Sequence, residues 1–207
     1  MSHLVIAEVS ECLRHTLWLG IREDSTTSQL VTAEQNIVLS NPAQVALPQG
    51  VVRQMSLWLY HVVPNEHLRN GSFVRRRDPA NQNDDDAQFY PPLVLNLLYL
   101  LTPSIQSDGN GADQLADQRL LGRAMQILHD QAVLPMQSKE APGDGTELHL
   151  SLAPRTIEEL AQVWEAMQQP YRLSVCYEVR VVRIPSLRRR IGTRVAERST
   201  EFSGVES

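Results

Sequence analysis

Leu93-Val94-Leu95-Asn96-Leu97-Leu98-Tyr99-Leu100-Leu101, introduced by Pro91-Pro92, is apolar on both of its alternating faces and broken only by Asn96. Successive side chains of a strand point to opposite faces, so apolar residues on both predict a strand covered from two sides. Nine residues fall well short of the ~18 that a membrane helix needs. Leu57-Trp58-Leu59-Tyr60-His61-Val62-Val63, within residues 51–63, has the same two-sided character and predicts a second central strand.

Helical spacing surrounds these strands. From Leu4 to Leu19, residues Ile6, Val9, Leu13 and Leu17 form an apolar stripe, which predicts an opening amphipathic helix. A short strand is expected at residues 35–40, ended by Asn41-Pro42. A second helix from Asp113 to Gln131 is expected to bury Leu121, Ala124, Met125 and Leu128, with Asp113 as its cap. The turn Pro142-Gly143-Asp144-Gly145 leads into a strand at Glu147 to Leu152. Thr156 and Glu159 form a capping box, and Ile157, Leu160, Trp164 and Met167 carry the stripe of a third helix that Gln169-Pro170 stops.

The last strand, Tyr171 to Ile184, alternates. Leu173, Val175, Tyr177, Val179 and Val181 point one way; Ser174, Cys176, Glu178 and Arg180 point the other. One face is expected on the core and the other free. The class is α+β, a mixed sheet with about three packed helices, and no internal repeat is evident. Residues 1–185 read as one domain and residues 186–207 as a basic tail or arm. Residues 65–90 read as a long polar loop holding Arg75-Arg76-Arg77 and Asp84-Asp85-Asp86, either a functional segment or a solvated insertion.

Composition narrows the function. The chain has 207 residues, 42% of them hydrophobic, enough for one well-packed domain with little left for a second. The start, Met1-Ser2-His3, lacks the basic region and cleavage site of a secretory leader, so the chain is expected to be made in the cytoplasm and to leave only inside a larger particle. Cys12 and Cys176 sit among apolar neighbours, as reduced and buried cysteines do, and no Cys/His spacing suits zinc. Net charge is −5, yet Arg172 to Ser207 holds eight arginines against four glutamates, a balance of +4 that leaves −9 on the rest. A negative body with a basic tail suits head-to-tail docking on copies of itself or on an acidic partner.

No catalytic pattern is present. The sequence lacks a phosphate-cradling Gly-x-x-x-x-Gly-Lys-Ser/Thr loop, a Gly-x-Gly-x-x-Gly turn, a nucleophile elbow and a His-Glu-x-x-His pair. The aspartate run fails the calcium-loop pattern, because Phe89 and Leu95 stand where glycine and glutamate belong. No enzyme activity, metal or cofactor is therefore expected. The arginine runs are not interleaved with aromatics as in single-strand binders, so nucleic acid is not the expected partner. The expected contacts are Arg69, Arg75, Arg76 and Arg77 in the loop, Glu178 and Arg180 on the last strand, and Arg188, Arg189, Arg190 and Arg194 in the tail. An arginine in such a place can pair a carboxylate with two parallel bonds across an interface. Asn65 and Asn70 are the natural caps of the 65–70 turn, with Leu68 tucked beneath.

Three segments taken in order, Leu57 to Asn70, Pro91 to Thr102 and Leu120 to Asp130, together with Pro170-Tyr171-Arg172-Leu173-Ser174-Val175 and the strand behind it, resemble a known family. It is the N-terminal domain of the cap, or tube-terminator, proteins of antifeeding-prophage-like extracellular contractile injection systems. The resemblance covers about residues 3–185. It implies a phage tail-terminator-like fold and a hexameric ring. Such a ring ends the inner tube and anchors the last sheath layer of a phage tail-like particle that assembles in the cytoplasm and that the cell can release. The implied partners are copies of the chain, the inner-tube protein and the sheath protein, with no membrane. Family members often continue into a further C-terminal region. The alternative is a DNA-contacting neck or completion protein of a phage tail-like particle, in which the basic tail would meet phosphates.

Overall fold

The computed structural model of the chain describes residues 4–43, 53–68, 71–76, 87–103, 111–136 and 146–190. Along the chain lie α1 (Val5–Glu23), β1 (Ile37–Val38), β2 (Met55–Pro64), β3 (Val74–Arg76), β4 (Ala87–Phe89), β5 (Leu93–Thr102), α2 (Gly111–Asp130), β6 (Val133–Met136), β7 (Thr146–Leu152), α3 (Ile157–Ala166) and β8 (Val175–Ile184). They form two compact units. Met1–Arg69 with Leu93–Pro185 make the first, and Asn70–Pro92 with Ser186–Ser207 make the second.

The first unit holds a six-stranded sheet in the order β1-β2-β5-β8-β7-β6. Only the β1–β2 pair is parallel, so the sheet is mixed as expected. The strand Leu93–Thr102 lies inside it, antiparallel to β2 on one side and β8 on the other. Its odd-numbered side chains Leu95, Leu97, Tyr99 and Leu101 enter the main core with the buried stripes of α1 and α2. On the opposite face Leu100 and Cys176 lie in a second cluster with Trp164 of α3. Both faces are covered at this point, which is why the strand is apolar throughout.

Two glycine-scale details set how α1 meets α2. A Cβ on Gly20 would lie 2.5 Å from Ile127 Cγ1, so only a bare Cα fits at this crossing. Arg123 of α2 then donates from Nε and Nη2 to the Gly20 carbonyl at 3.2 and 2.8 Å. A second tie is the buried ion pair of Arg53, just before β2, with Asp117 of α2. Such a pair contributes little over an apolar contact, but losing one partner strands a buried charge.

Several elements differ from the sequence expectation. The strand β6 has no counterpart in the sequence pattern: it is four residues long and contains Pro135, and proline is confined to sheet edges and bulges. It does occupy the edge, where proline blunts further strand pairing. In α3 the capping box is present: Thr156 Oγ1 accepts from the Glu159 N–H at 3.3 Å and Glu159 Oε2 accepts from the Thr156 N–H at 3.0 Å. However, Ile157, expected in the buried stripe, is 64% exposed. It sits at the first helical position, ahead of the buried part of the stripe around Trp164. The helix closes at Gln168, whose φ of 55° lets its N–H reach Glu165 O at 2.8 Å. Cys176 is buried as expected, but Cys12 is only half-buried. The Asp113 side chain lies outside the described residues.

Placing a Cβ at Gly20 forces Ile127 to move. Gly20→Ala is expected to lower stability by about 1–3 kcal/mol in chemical denaturation, despite the better helix propensity of alanine. Adding Ile127→Ala should make the double variant less destabilised than the two single changes combined.

Tyr99 donates its hydroxyl to Ser10 Oγ at 2.8 Å, since the Ser10 proton goes to Ile6 O. Burial pushes the Tyr99 phenol up to about 12, and burial together with the Cys176 thiol does the same for Tyr60. An acid whose folded value exceeds its unfolded value of about 10 favours the fold while protonated. That stability is complete below pH 10 and is lost as pH rises towards 12. Melting temperature should therefore hold to about pH 10 and fall beyond it, less steeply in Tyr99→Phe.

Candidate interaction surfaces

The helix α3 covers only part of its sheet face. Beyond Trp58, Leu100 and Cys176 the face opens into a groove of about 420 Å³, lined by His61, Val63, Leu98, Glu178 and Arg180 with the segment Leu152 to Arg155 along one side. Asn96 lies on this face, one step beyond Leu98. A chain of polar contacts runs through it. Asn65 Nδ2 donates to Asn96 Oδ1 at 2.9 Å, and Asn96 Nδ2 donates to Glu178 Oε1 at 2.9 Å. Arg180 donates from Nε at 2.8 Å and from Nη2 at 2.7 Å to Glu178 Oε2. Asn65 Oδ1 also accepts from the N–H groups of His67 and Leu68 at 3.1 and 3.2 Å, capping the short helical turn Glu66–Leu68. The expected cap at Asn65 is thus present. Leu68, expected beneath the turn, is instead 39% exposed.

Two bulges shape this face. Between β2 and β5 the pairing passes from Leu59–Tyr99 to His61–Leu98, leaving Tyr60 as an extra residue. Between β5 and β8 it passes from Leu97–Val179 to Leu95–Val182, which inserts a residue into β8 opposite Asn96. The insertion reverses the inward phase of β8. Val182 is 1% exposed, whereas Val181, expected on the core face, is only half-buried and has φ of 66°. A β-branched residue in that region is strained. Ser174 and Cys176, expected on the free face, are buried; Ser174 Oγ accepts from Trp164 Nε1 at 3.1 Å. Of the four residues expected on that face, Glu178 and Arg180 are the two left outside the cover of α3.

The second unit contains a hairpin within the stretch expected to be a structureless loop. β3 and β4 pair antiparallel, and Phe89 also bridges Arg189, so the chain after Ser186 runs alongside β4. Tyr90 N–H donates to Arg188 O at 3.0 Å and Arg190 N–H to Gln88 O at 2.8 Å. The arginine side chains stack on rings: the Arg188 guanidinium lies 4.1 Å from the centroid of Tyr90, and that of Arg190 lies 4.4 Å from Phe73. The two rings meet edge to face at 5.3 Å. Strands this short show no readable alternation, and the stacking joins residues more than ninety positions apart. Phe73 and Tyr90, aromatics inside a polar stretch, were the available signal.

The expected contact residues divide accordingly. Glu178 and Arg180 are brought together on the groove, while Arg188, Arg189 and Arg190 lie along the hairpin. Arg75 is exposed on β3, and Arg76 is in the same strand. Arg69, Arg77 and Arg194 lie outside the described residues, as does the run Asp84-Asp85-Asp86. Among the described residues, no cluster of His, Cys, Asp and Glu could hold a metal, and no helix is long and apolar enough to cross a membrane.

The fold has solved counterparts. It is similar to the sheath/tube terminator of an extracellular contractile injection system, PVC, in its extended state. That match has a TM-score of 0.52 and 16% identity, over 97% of this chain and 65% of that one. It is also similar to the tube-terminating cap of the anti-feeding prophage, with a TM-score of 0.49 and 18% identity, over 81% of this chain and 56% of that one. The chain thus spans less than two thirds of either. The fold is of the class seen in the PVC sheath/tube terminator. Within that class the chain belongs to the Pvc16 N-terminal domain family, whose model matches residues 8–198. No curated protein sequence matches it.

Releasing the strain at the β8 bulge should stabilise the fold. Val181→Gly is expected to raise unfolding free energy by roughly 0.5–1 kcal/mol, because glycine adopts positive φ without steric cost. Val179→Gly, in the regular part of the same strand, should lower it.

Proposed function

We propose that this chain is a structural cap that ends the inner tube of an extracellular contractile injection particle and anchors the last layer of its sheath. The observation that carries this reading is family membership across residues 8–198, joined to a fold shared along 97% of the chain with a sheath/tube terminator. The cap works by contact, without turnover or cofactor. It is a hexameric ring whose partners are copies of itself, the tube protein and the sheath protein, and the particle is released from the cell.

A closed ring needs two different surfaces on each subunit. The groove with Glu178 and Arg180 supplies one, and the hairpin with Arg75, Arg76, Arg188, Arg189 and Arg190 supplies another; Arg69, Arg77 and Arg194, outside the described residues, are proposed contacts as well. Nothing among the described residues favours the DNA-contacting neck protein.

Particles from cells lacking this chain, measured by negative-stain microscopy, should show tubes or sheaths of uncontrolled length or unsealed ends. Particles of normal length and normal capping would overturn the cap reading.

A further inference from the structure

We propose that two copies of this chain join head to tail, the Leu187–Arg190 strip of one copy seating on the outer face of α3 of the next. The inference starts from the two most exposed large apolar side chains described, Leu187 at 73% and Ile157 at 64%. Leu187 is followed by Arg188, Arg189 and Arg190, and Ile157 by Glu158 and Glu159, charges of opposite sign.

Leu187 precedes Arg188 and Arg190. Both arginines are exposed, and each guanidinium lies over an aromatic ring. Stacking fixes the plane of the fork, so less side-chain freedom is lost when it meets a carboxylate. Each ring has one face occupied by its arginine, which leaves that face unavailable for stacking on a base.

Ile157 precedes Glu158, and α3 continues with Glu159 and Glu165. It contains no lysine or arginine, unlike α1 with Arg14 and Arg22 or α2 with Arg119 and Arg123. Glu159 is committed to the capping box and to Arg155; Glu158, which also has a hydrogen bond with Thr156, and Glu165 are exposed. Seven residues separate them, which puts both on one helix face about 10.5 Å apart along the axis. The two arginines, two residues apart on an extended segment, are about 6.6 Å apart. The difference is within the swing of glutamate and arginine side chains.

The whole chain supports the pairing. The last 36 residues are net positive while the remainder carries −9, so a second copy offers the charge that the strip lacks. The contact is heterologous, which closes a ring when the rotation between copies permits. It deepens the cap reading, on which its purpose rests.

The test uses the purified full chain and sedimentation equilibrium from micromolar to millimolar concentration. The wild type is expected to self-associate. Arg188→Glu with Arg190→Glu, and separately Glu158→Arg with Glu165→Arg, should each weaken association about 100-fold or more by setting like charges face to face. An equimolar mixture of the two variants should recover wild-type association, because only alternating copies then place opposite charges in contact. A contact within one chain could not be restored by mixing. Leu187→Asp, which leaves both ring stacks in place, should weaken association about 10-fold.

A wild type that stays monomeric, a charge variant that associates like the wild type, or a mixture that stays dissociated while both variants keep wild-type near-UV circular dichroism would each overturn the contact. So would an unaffected Leu187→Asp. None of these readouts involves particles, so a failure here leaves the cap reading in place. Normal particles from deletion cells would remove the cap reading and not the contact.

Discussion

Asn96 is the one amide side chain in the central strand, and it has to be satisfied on both sides. It accepts from Asn65 and donates to Glu178, each at 2.9 Å. These bonds link β5 to the end of β2 on one side and to β8 on the other. An unpaired amide at this half-buried position would cost about 1–3 kcal/mol, so neither neighbour can slip in register without that loss. The bulge in β8 falls opposite Asn96, beside the Glu178–Arg180 pair. The strained backbone of Val181 accompanies this arrangement.

The same sheet is treated differently on its two faces. On one, α1 and α2 close a continuous core, with the Gly20–Ile127 approach and the Arg123 bonds fixing the helix pair. On the other, α3 is only ten residues long and covers a smaller cluster around Trp164. What it leaves open is the groove with the paired charges of Glu178 and Arg180. Such a face suits a surface that another protein covers, and an assembly protein needs surfaces of this kind more than a convergent polar pocket.

The hairpin unit explains how a short basic segment acquires defined geometry. A free arginine-rich tail would lose considerable side-chain entropy on docking. Here Arg188 and Arg190 are already set against Tyr90 and Phe73, and their backbone is bonded to β4. The order that docking would otherwise impose is present beforehand.

The sequence alone determined the main elements, because their signals are local and strong. The two-sided run Leu93 to Leu101, the stripe of α1 and the Thr156–Glu159 capping box each predict an element that the fold contains. Its order of segments also carried the resemblance to the terminator family. The tertiary structure alone decided what depends on register and on distant neighbours. Val182 rather than Val181 faces inward because a bulge shifts the alternation, and a bulge is set by the partner strand. Ser174 and Cys176 are buried because α3 lies over them, though alternation within their own strand looks half-exposed. Arg188 and Arg190 meet Tyr90 and Phe73 across more than ninety residues, a contact that no local periodicity encodes.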